Sequence, residues 1–311
     1  MPRPRISAPV SGAPLLAAGA LLLSASACGQ SSPAERGESA EVVATFSVLA
    51  DIASAVAGDR VAVDTITPVG AEVHEYDPSP SDVAAAAEAE LIIANGLGLE
   101  TWFEQFIQHG DAEVITATED VEAQRITHIP GHPHSGELPT DPHAWISPVQ
   151  AMSYVDTIEA ALAERWPQDA EHFSANAEQY RQQLRQIAAD AASRAEQIDG
   201  EIFLVTCEGA FSYLANDLGM TEHYLWPLNA ENEGTPQQVQ AQIDFVKQHQ
   251  VPVVFCESTV PTGPQEQVAE STGAELGPPL YVDSLSEPDG DVPSYLDLLE
   301  HNIDTVLSAY E

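Results

Sequence analysis

The chain is short of positive charge. Among its 311 residues Lys247 is the only lysine, and lysine and arginine together number ten against 49 acids, for a formal net charge of -39. A surface of that sign repels nucleic acid and anionic membrane, and no nucleic-acid partner is expected. It also attracts cations, but proteins from saline or high-GC sources carry such surfaces too, and we read the bulk charge that way. Two catalytic signatures are missing: the chain contains no H-E-x-x-H and no G-x-S-x-G. Cysteine is scarce, at three residues, and the apolar run Leu15 to Leu23 is too short to span a bilayer. Hydrophobic residues are not scarce. They make up 44% of the chain, which excludes global disorder, and the length suits two ordinary domains or one large one.

The apolar run follows Arg3 and Arg5 and ends in the small residues "SASA" before Cys28. This pattern predicts a signal peptide over 1–27. Cys28 then becomes the acylated residue of a lipoprotein. Ala25 stands where a lipobox prefers leucine, and Ala25-Ser26-Ala27 also fits ordinary cleavage, which would leave the protein free in the periplasm. The polar segment "GQSSPAERGESAE" after Cys28 favours the anchor, because it reads as a flexible tether over 28–41.

From Val42 onward strands alternate with helices, the pattern of a mostly parallel sheet covered on both faces. Strands are expected at Val42 to Phe46, Val61 to Thr67, Leu91 to Ala94 and Glu113 to Thr116. Helices are expected from Val48 to Ala57, after a Ser79 cap, and around Glu100 to Gln108. A Pro/Gly/His loop with His128, His132 and His134 breaks the rhythm. Ser147-Pro148-Val149-Gln150 then reads as a capping box. The helical stretch it opens carries Val155, Ile158 and Leu162, and later Phe173, Tyr180, Leu184 and Ile187, at helical spacing. Strand and helix patterns resume at Ile202, with strands around Tyr224, at Val251 to Phe255 and at Leu280 to Val282. A second capping box stands at Thr235. The fold class is therefore α/β: two βα lobes of similar size, 42–147 and 200–311, with mostly parallel sheets, joined by long linking helices over 148–199.

In an open parallel sheet, ligands sit beyond the carboxyl ends of the strands. Four residues with metal-binding chemistry fall there: His74 after the second strand, His143 in "DPHAWISP", Glu208 after "IFLVTC" and Asp283 in "YVDSLS". Two neutral imidazoles and two carboxylates suit a divalent first-row ion, and the carboxylates neutralise it. Position alone leaves other readings open. Glu208 and Asp283 could be acids at helix N-termini, and His143 a loop residue wedged by Trp145.

These segments, with "VVATFSVLADIASAVAGDRV", "PVGAEVHEYDPSPSDV", "NGLGLE", "EGAFSYLANDLGM" and "NAENEGTPQQV", resemble the zinc/manganese solute-binding proteins of bacterial ABC transporters, a group that includes lipoprotein surface adhesins. The resemblance runs from about Val42 to Leu307. It implies two (β/α)4 lobes, a rigid linking helix and one metal ion held between the lobes by His74, His143, Glu208 and Asp283. It also implies a permease and its ATPase as partners, and a monomer. Members of the group that look zinc-specific usually carry histidine at the third position and a long His-rich loop. Glu208 there favours Mn²⁺, with Zn²⁺ and Fe²⁺ the alternatives. After "FCESTV" the group commonly has arginine, where this chain has Pro261-Thr262-Gly263-Pro264. Any interlobe salt link from that arginine is in doubt.

Two further functions compete: a metal-dependent hydrolase, which would need an open coordination position and a nearby base, and a surface adhesin. Finally, Cys207 and Cys256 both close apolar strands, "IFLVTC" and "VPVVFC". Pairing is expected of an exported chain, and adjacent parallel strands supply the spacing a disulfide needs. Two buried free thiols, or Cys207 as a metal ligand, are the other readings.

Overall fold

The computed structural model describes residues 41–103, 112–128, 130–131, 138–229 and 234–311. Cys28 with its leader, His132, His134 and the end of the expected helix after Glu100 lie outside them.

The most apolar strands lie at the centre of the first sheet. Val42–Ala44 (β1) and Leu91–Ala94 (β3) are buried almost throughout, while Val63–Thr65 (β2) and Glu113–Thr116 (β4) are more exposed and take the edges. All pair in parallel, in the order β2-β1-β3-β4. The helix Ser47–Ala57 stops at Gly58, whose φ of 62° suits a residue without a Cβ. Pro80–Glu88 opens on a capping box between Ser79 and Asp82.

The middle of the chain is helical. Ala151–Arg165 is followed by a 3-10 turn at Pro167–Asp169 and by Ala170–Ala195, a helix of 26 residues, about 39 Å long. The expected apolar stripes are its buried face: Val155, Ile158 and Leu162, then Phe173, Tyr180, Leu184 and Ile187. The capping box expected at Ser147 does not form. Ser147 Oγ accepts from the N–H groups of Val149 and Gln150 and donates to Asp217, so a turn precedes the helix and Gln150 becomes an uncapped N-cap.

In the last third, Phe203–Glu208 (β5) is buried throughout and pairs in parallel with Thr221–Trp226 (β6). Val253–Val254 (β7) pairs in parallel with Glu275–Leu276 (β8), a strand the sequence reading missed. Phe255 N–H donates to Val205 C=O at 2.8 Å and Leu280 N–H to Cys256 C=O at 3.0 Å, which carries the strand order onward from β5. Leu280 to Val282 is reduced to a single parallel bridge between Glu257 and Leu280. Pro278 and Pro279 just before it have no N–H to give a ladder. The Thr235–Gln238 capping box opens the helix Pro236–His249. Pro261 to Pro264 leads into the helix Gly263–Thr272, where Thr262 Oγ1 donates to Glu266 at 2.8 Å. Tyr295–Ser308 closes the fold. One apolar cluster, with Phe46, Trp145, Leu204 and Tyr295 among its members, runs from Val42 to Leu307, so both sheet systems share a core.

Candidate metal centre

Two of the four candidate residues stand where strands give out, and two in loops beyond the sheet. Glu208 is the last residue of β5, and Asp283 follows the Leu280 bridge. His143 precedes the 3-10 turn Ala144–Ile146, and His74 lies in the turn after β2. Parallel strands aim their carboxyl ends the same way, and this brings residues 209 positions apart together. One donor atom from each of His74, His143, Glu208 and Asp283 lies within 4.8 Å of the others.

The two imidazole Nε2 atoms are 3.1 Å apart, and Glu208 Oε1 lies 3.4 Å from that of His74 and 3.7 Å from that of His143. His143 Nδ1 is 2.8 Å from Asp141 Oδ1, which also accepts the His143 backbone N–H. In the neutral ring that contact keeps the proton on Nδ1 and leaves the Nε2 lone pair facing the cluster. Asp141 is held by its own backbone, whose carbonyl accepts from Tyr213 Oη at 3.0 Å. Sequence reading quoted Asp141 without giving it a role; the D-P-H spacing was the available signal.

The surrounding loops are fixed by short polar contacts. Glu72 accepts the N–H groups of His74 at 2.6 Å and Glu75 at 2.9 Å, and Trp102 donates to the Val73 carbonyl at 2.7 Å. "NGLGLE" is a support for His143: Glu100 accepts from Thr45 Oγ1 and Asn95 N–H, and Asn95 Nδ2 donates to the Pro142 carbonyl. A Cβ at Gly96 would sit 2.3 Å from Thr116 Cγ2, so this tight loop requires glycine. Ser284, beside Asp283, accepts the Gly70 N–H at 2.6 Å, while Leu285 N–H donates to Ser47 Oγ.

Burial makes the centre electrostatically costly for bare carboxylates. His143 and Glu208 side chains are 0% exposed, and His74 keeps 8%. Burial pushes the Glu208 carboxyl well above its usual range, and the neighbouring Asp283 and Glu257 push the same way. Burial raises Asp283 to about 7. The His74 imidazole is held well below its ordinary value by burial, then by His143. Glu208 Oε2 and Asp283 Oδ1 are buried with no hydrogen-bond partner. Buried oxygens without donors, beside two imidazole nitrogens, form a donor set whose chemistry suits a divalent cation.

Cys207 and Cys256 are joined as a disulfide, with Cα atoms 4.9 Å apart, one residue before Glu208 on β5. Glu257 Oε2 accepts the Glu208 N–H at 3.2 Å, and burial raises Glu257 to about 8. The His128 ring stacks on Tyr224 at 4.4 Å, and the Tyr224 hydroxyl donates to its carbonyl at 2.7 Å.

Two α/β halves on one core, with a convergent His/His/Glu/Asp set at their strand ends, have the architecture of a solute-binding component of a metal ABC transporter, not of an enzyme. The chain belongs to the family described as Zinc-uptake complex component A periplasmic (ZnuA), whose model matches residues 42–309. It is 42% identical to the iron-binding protein YfeA of Yersinia pestis over 93% of this chain and 92% of that protein. It is 33% identical to the manganese-binding lipoprotein MntA of Halalkalibacterium halodurans, over 93% and 95%. The Mn-bound periplasmic metal-binding protein of Candidatus Liberibacter asiaticus superposes with a TM-score of 0.79 at 33% identity, covering 87% of this chain and 99% of that one.

Proposed function

We propose that this protein captures one divalent transition-metal ion through His74, His143, Glu208 and Asp283 and delivers it to a membrane permease driven by an ATPase. The carrying observation is the convergence of the four donors within 4.8 Å, with two buried carboxylate oxygens lacking any partner. Two oxygen donors beside two nitrogens favour Mn²⁺, with Fe²⁺ and Zn²⁺ the alternatives. Relatives named for iron and for manganese support a cargo of this class. The residual exposure of His74 makes its turn the entry side.

In the same reading, residues 1–27 are a signal peptide and Cys28 carries a lipid anchor on a tether to residue 41. The lobes 42–147 and 200–311 are joined by 148–199, and the chain works as a monomer outside the cytoplasm. Relatives named as lipoproteins support the anchor. Raw affinity cannot name the cargo, because it rises along the first-row series whatever the protein transports. The test is metal analysis of protein purified from its native host, paired with uptake in a deletion strain. One manganese per chain and lost manganese uptake are the expected results. Unchanged uptake of every first-row metal overturns the reading.

A further inference from the structure

One residue outside the donor set bonds to both of its carboxylates and to Glu72. Asn229 follows β6 and is 7% exposed. Its backbone N–H donates to Glu208 Oε1 at 2.7 Å, and its side-chain Nδ2 donates to Asp283 Oδ2 at 3.3 Å and to Glu72 Oε1 at 3.4 Å. Its Oδ1 accepts from Trp226 Nε1 at 2.9 Å, which fixes the amide orientation and aims the NH₂ at the two carboxylates.

Each contact has a chemical consequence. Glu208 Oε1 is the oxygen nearest both imidazole Nε2 atoms, and the Asn229 N–H holds it there while Oε2 goes without a partner. Asp283 Oδ2 is taken up by the Asn229 amide and by Thr259 Oγ1 at 3.4 Å, leaving Oδ1 bare. A carboxylate with one oxygen occupied by donors offers an ion the other oxygen singly; one freed of them can turn and chelate through both. Through Glu72, the same amide reaches the turn that carries His74, since Glu72 Oε1 also accepts the His74 N–H.

We infer that Asn229 is a positioning residue whose side-chain amide occupies Asp283 Oδ2 and leaves Oδ1 to meet the ion, and thereby sets the coordination number and the balance between metals. This rests on the proposed metal-binding reading of the four donors. With Asn229 in place, the single Asp283 oxygen holds the oxygen count down and keeps Zn²⁺ among the ions the site accepts. Without it, a chelating Asp283 adds an oxygen donor, which suits manganese further and disturbs a tetrahedral zinc site.

The experiment measures Mn²⁺ and Zn²⁺ dissociation constants for the wild-type chain, Asn229→Ala and Asn229→Asp, with the Mn²⁺ coordination number from X-ray absorption. Asn229→Asp keeps the acceptor for Trp226 and the side-chain volume but removes the NH₂ donor. Both variants should weaken zinc by about 10–100-fold and manganese less, so the ratio Kd(Mn)/Kd(Zn) falls by about tenfold or more, with more oxygens around manganese. A purely structural role weakens both metals equally and leaves the ratio and coordination number at wild-type values; that result overturns the inference. Thr259→Val removes the other donor to Asp283 Oδ2 and should move the ratio the same way by less, which keeps the test open should the Asn229 variants fail to fold. Wild-type protein that binds neither ion refutes the site reading itself, before any variant is compared.

Discussion

Trp145 donates its indole N–H to the Val282 carbonyl at 2.9 Å and is itself fully buried. The bond ties the turn that carries His143 to the strand end that carries Asp283. Tyr295 Oη adds a second tie, donating to the Trp145 carbonyl. His143 and Asp283 therefore keep their spacing from the fold and not from the ion. Trp145→Phe would leave a buried carbonyl unpaired, at a cost of about 1–3 kcal/mol. It should lower both the melting temperature and metal affinity, measured by thermal unfolding and calorimetric titration. Unchanged affinity would remove Trp145 from the account of the site.

Alanine at any of the four donors should weaken metal binding, most severely at Glu208, where a buried carboxylate and its charge both go. Glu208→His should move preference toward zinc, since a third nitrogen replaces an oxygen. Competition titration with a chromogenic chelator measures both effects. An unchanged Mn²⁺ affinity in Glu208→Ala contradicts the assignment.

Asp141→Asn keeps the shape of the residue beside His143 Nδ1 but weakens the acceptor that fixes the ring's proton. The expected loss is about 10–100-fold in metal affinity with little change in unfolding temperature. Wild-type affinity would show that the tautomer needs no such support.

Metal binding should release protons below neutral pH. Asp283, raised to about 7, and Glu208, raised well above its usual range, must give up protons before a cation can take their place. The sign follows: affinity falls as pH drops through 7, and proton release per ion grows over the same window. His74 is held so low that its lone pair stays free there, so it adds little to the dependence. Titration calorimetry in buffers of different ionisation enthalpy reads the proton count; none released at pH 6 counts against the prediction.

Glu222 offers a separate pH test away from the donors. Burial raises it to about 8, and it accepts from Phe211 N–H and Ser212 Oγ. Its folded value lies above its unfolded one, so its contribution is fully present below about 4.5 and is lost as pH rises through about 8. Glu222→Gln, a mimic of the protonated acid, should leave stability at pH 4.5 nearly unchanged and raise the melting temperature at pH 8 by roughly 3–6 °C. Equal shifts at both pH values would contradict it.

His143, far beyond β4, was carried by the resemblance of "DPHAWISP", whereas reading the sequence singled out Glu208 and Asp283 because each follows an apolar run that gives way to Gly, Asp or Ser. The Ser79 and Thr235 caps were legible for the same local reason. Ser147 looked identical to them in sequence, but its hydroxyl answers to Asp217, 70 positions away. Asn229, Asp141 and Trp145 went unassigned because their roles consist of contacts across the chain, which no periodicity records. The strand at Glu275–Leu276 is two residues long, too short to leave a pattern.

Glu208 closes β5 as the last pair of its ladder, opposite Trp226, while Phe203 to Cys207 carry the packing. On the proposed reading the scaffold and the donor set are separable: a substitution at the strand end would change which ion is preferred and leave the apolar interior in place. A single exchange at position 208 would then redirect the cargo within one frame, which makes metal preference a replaceable fitting on this fold.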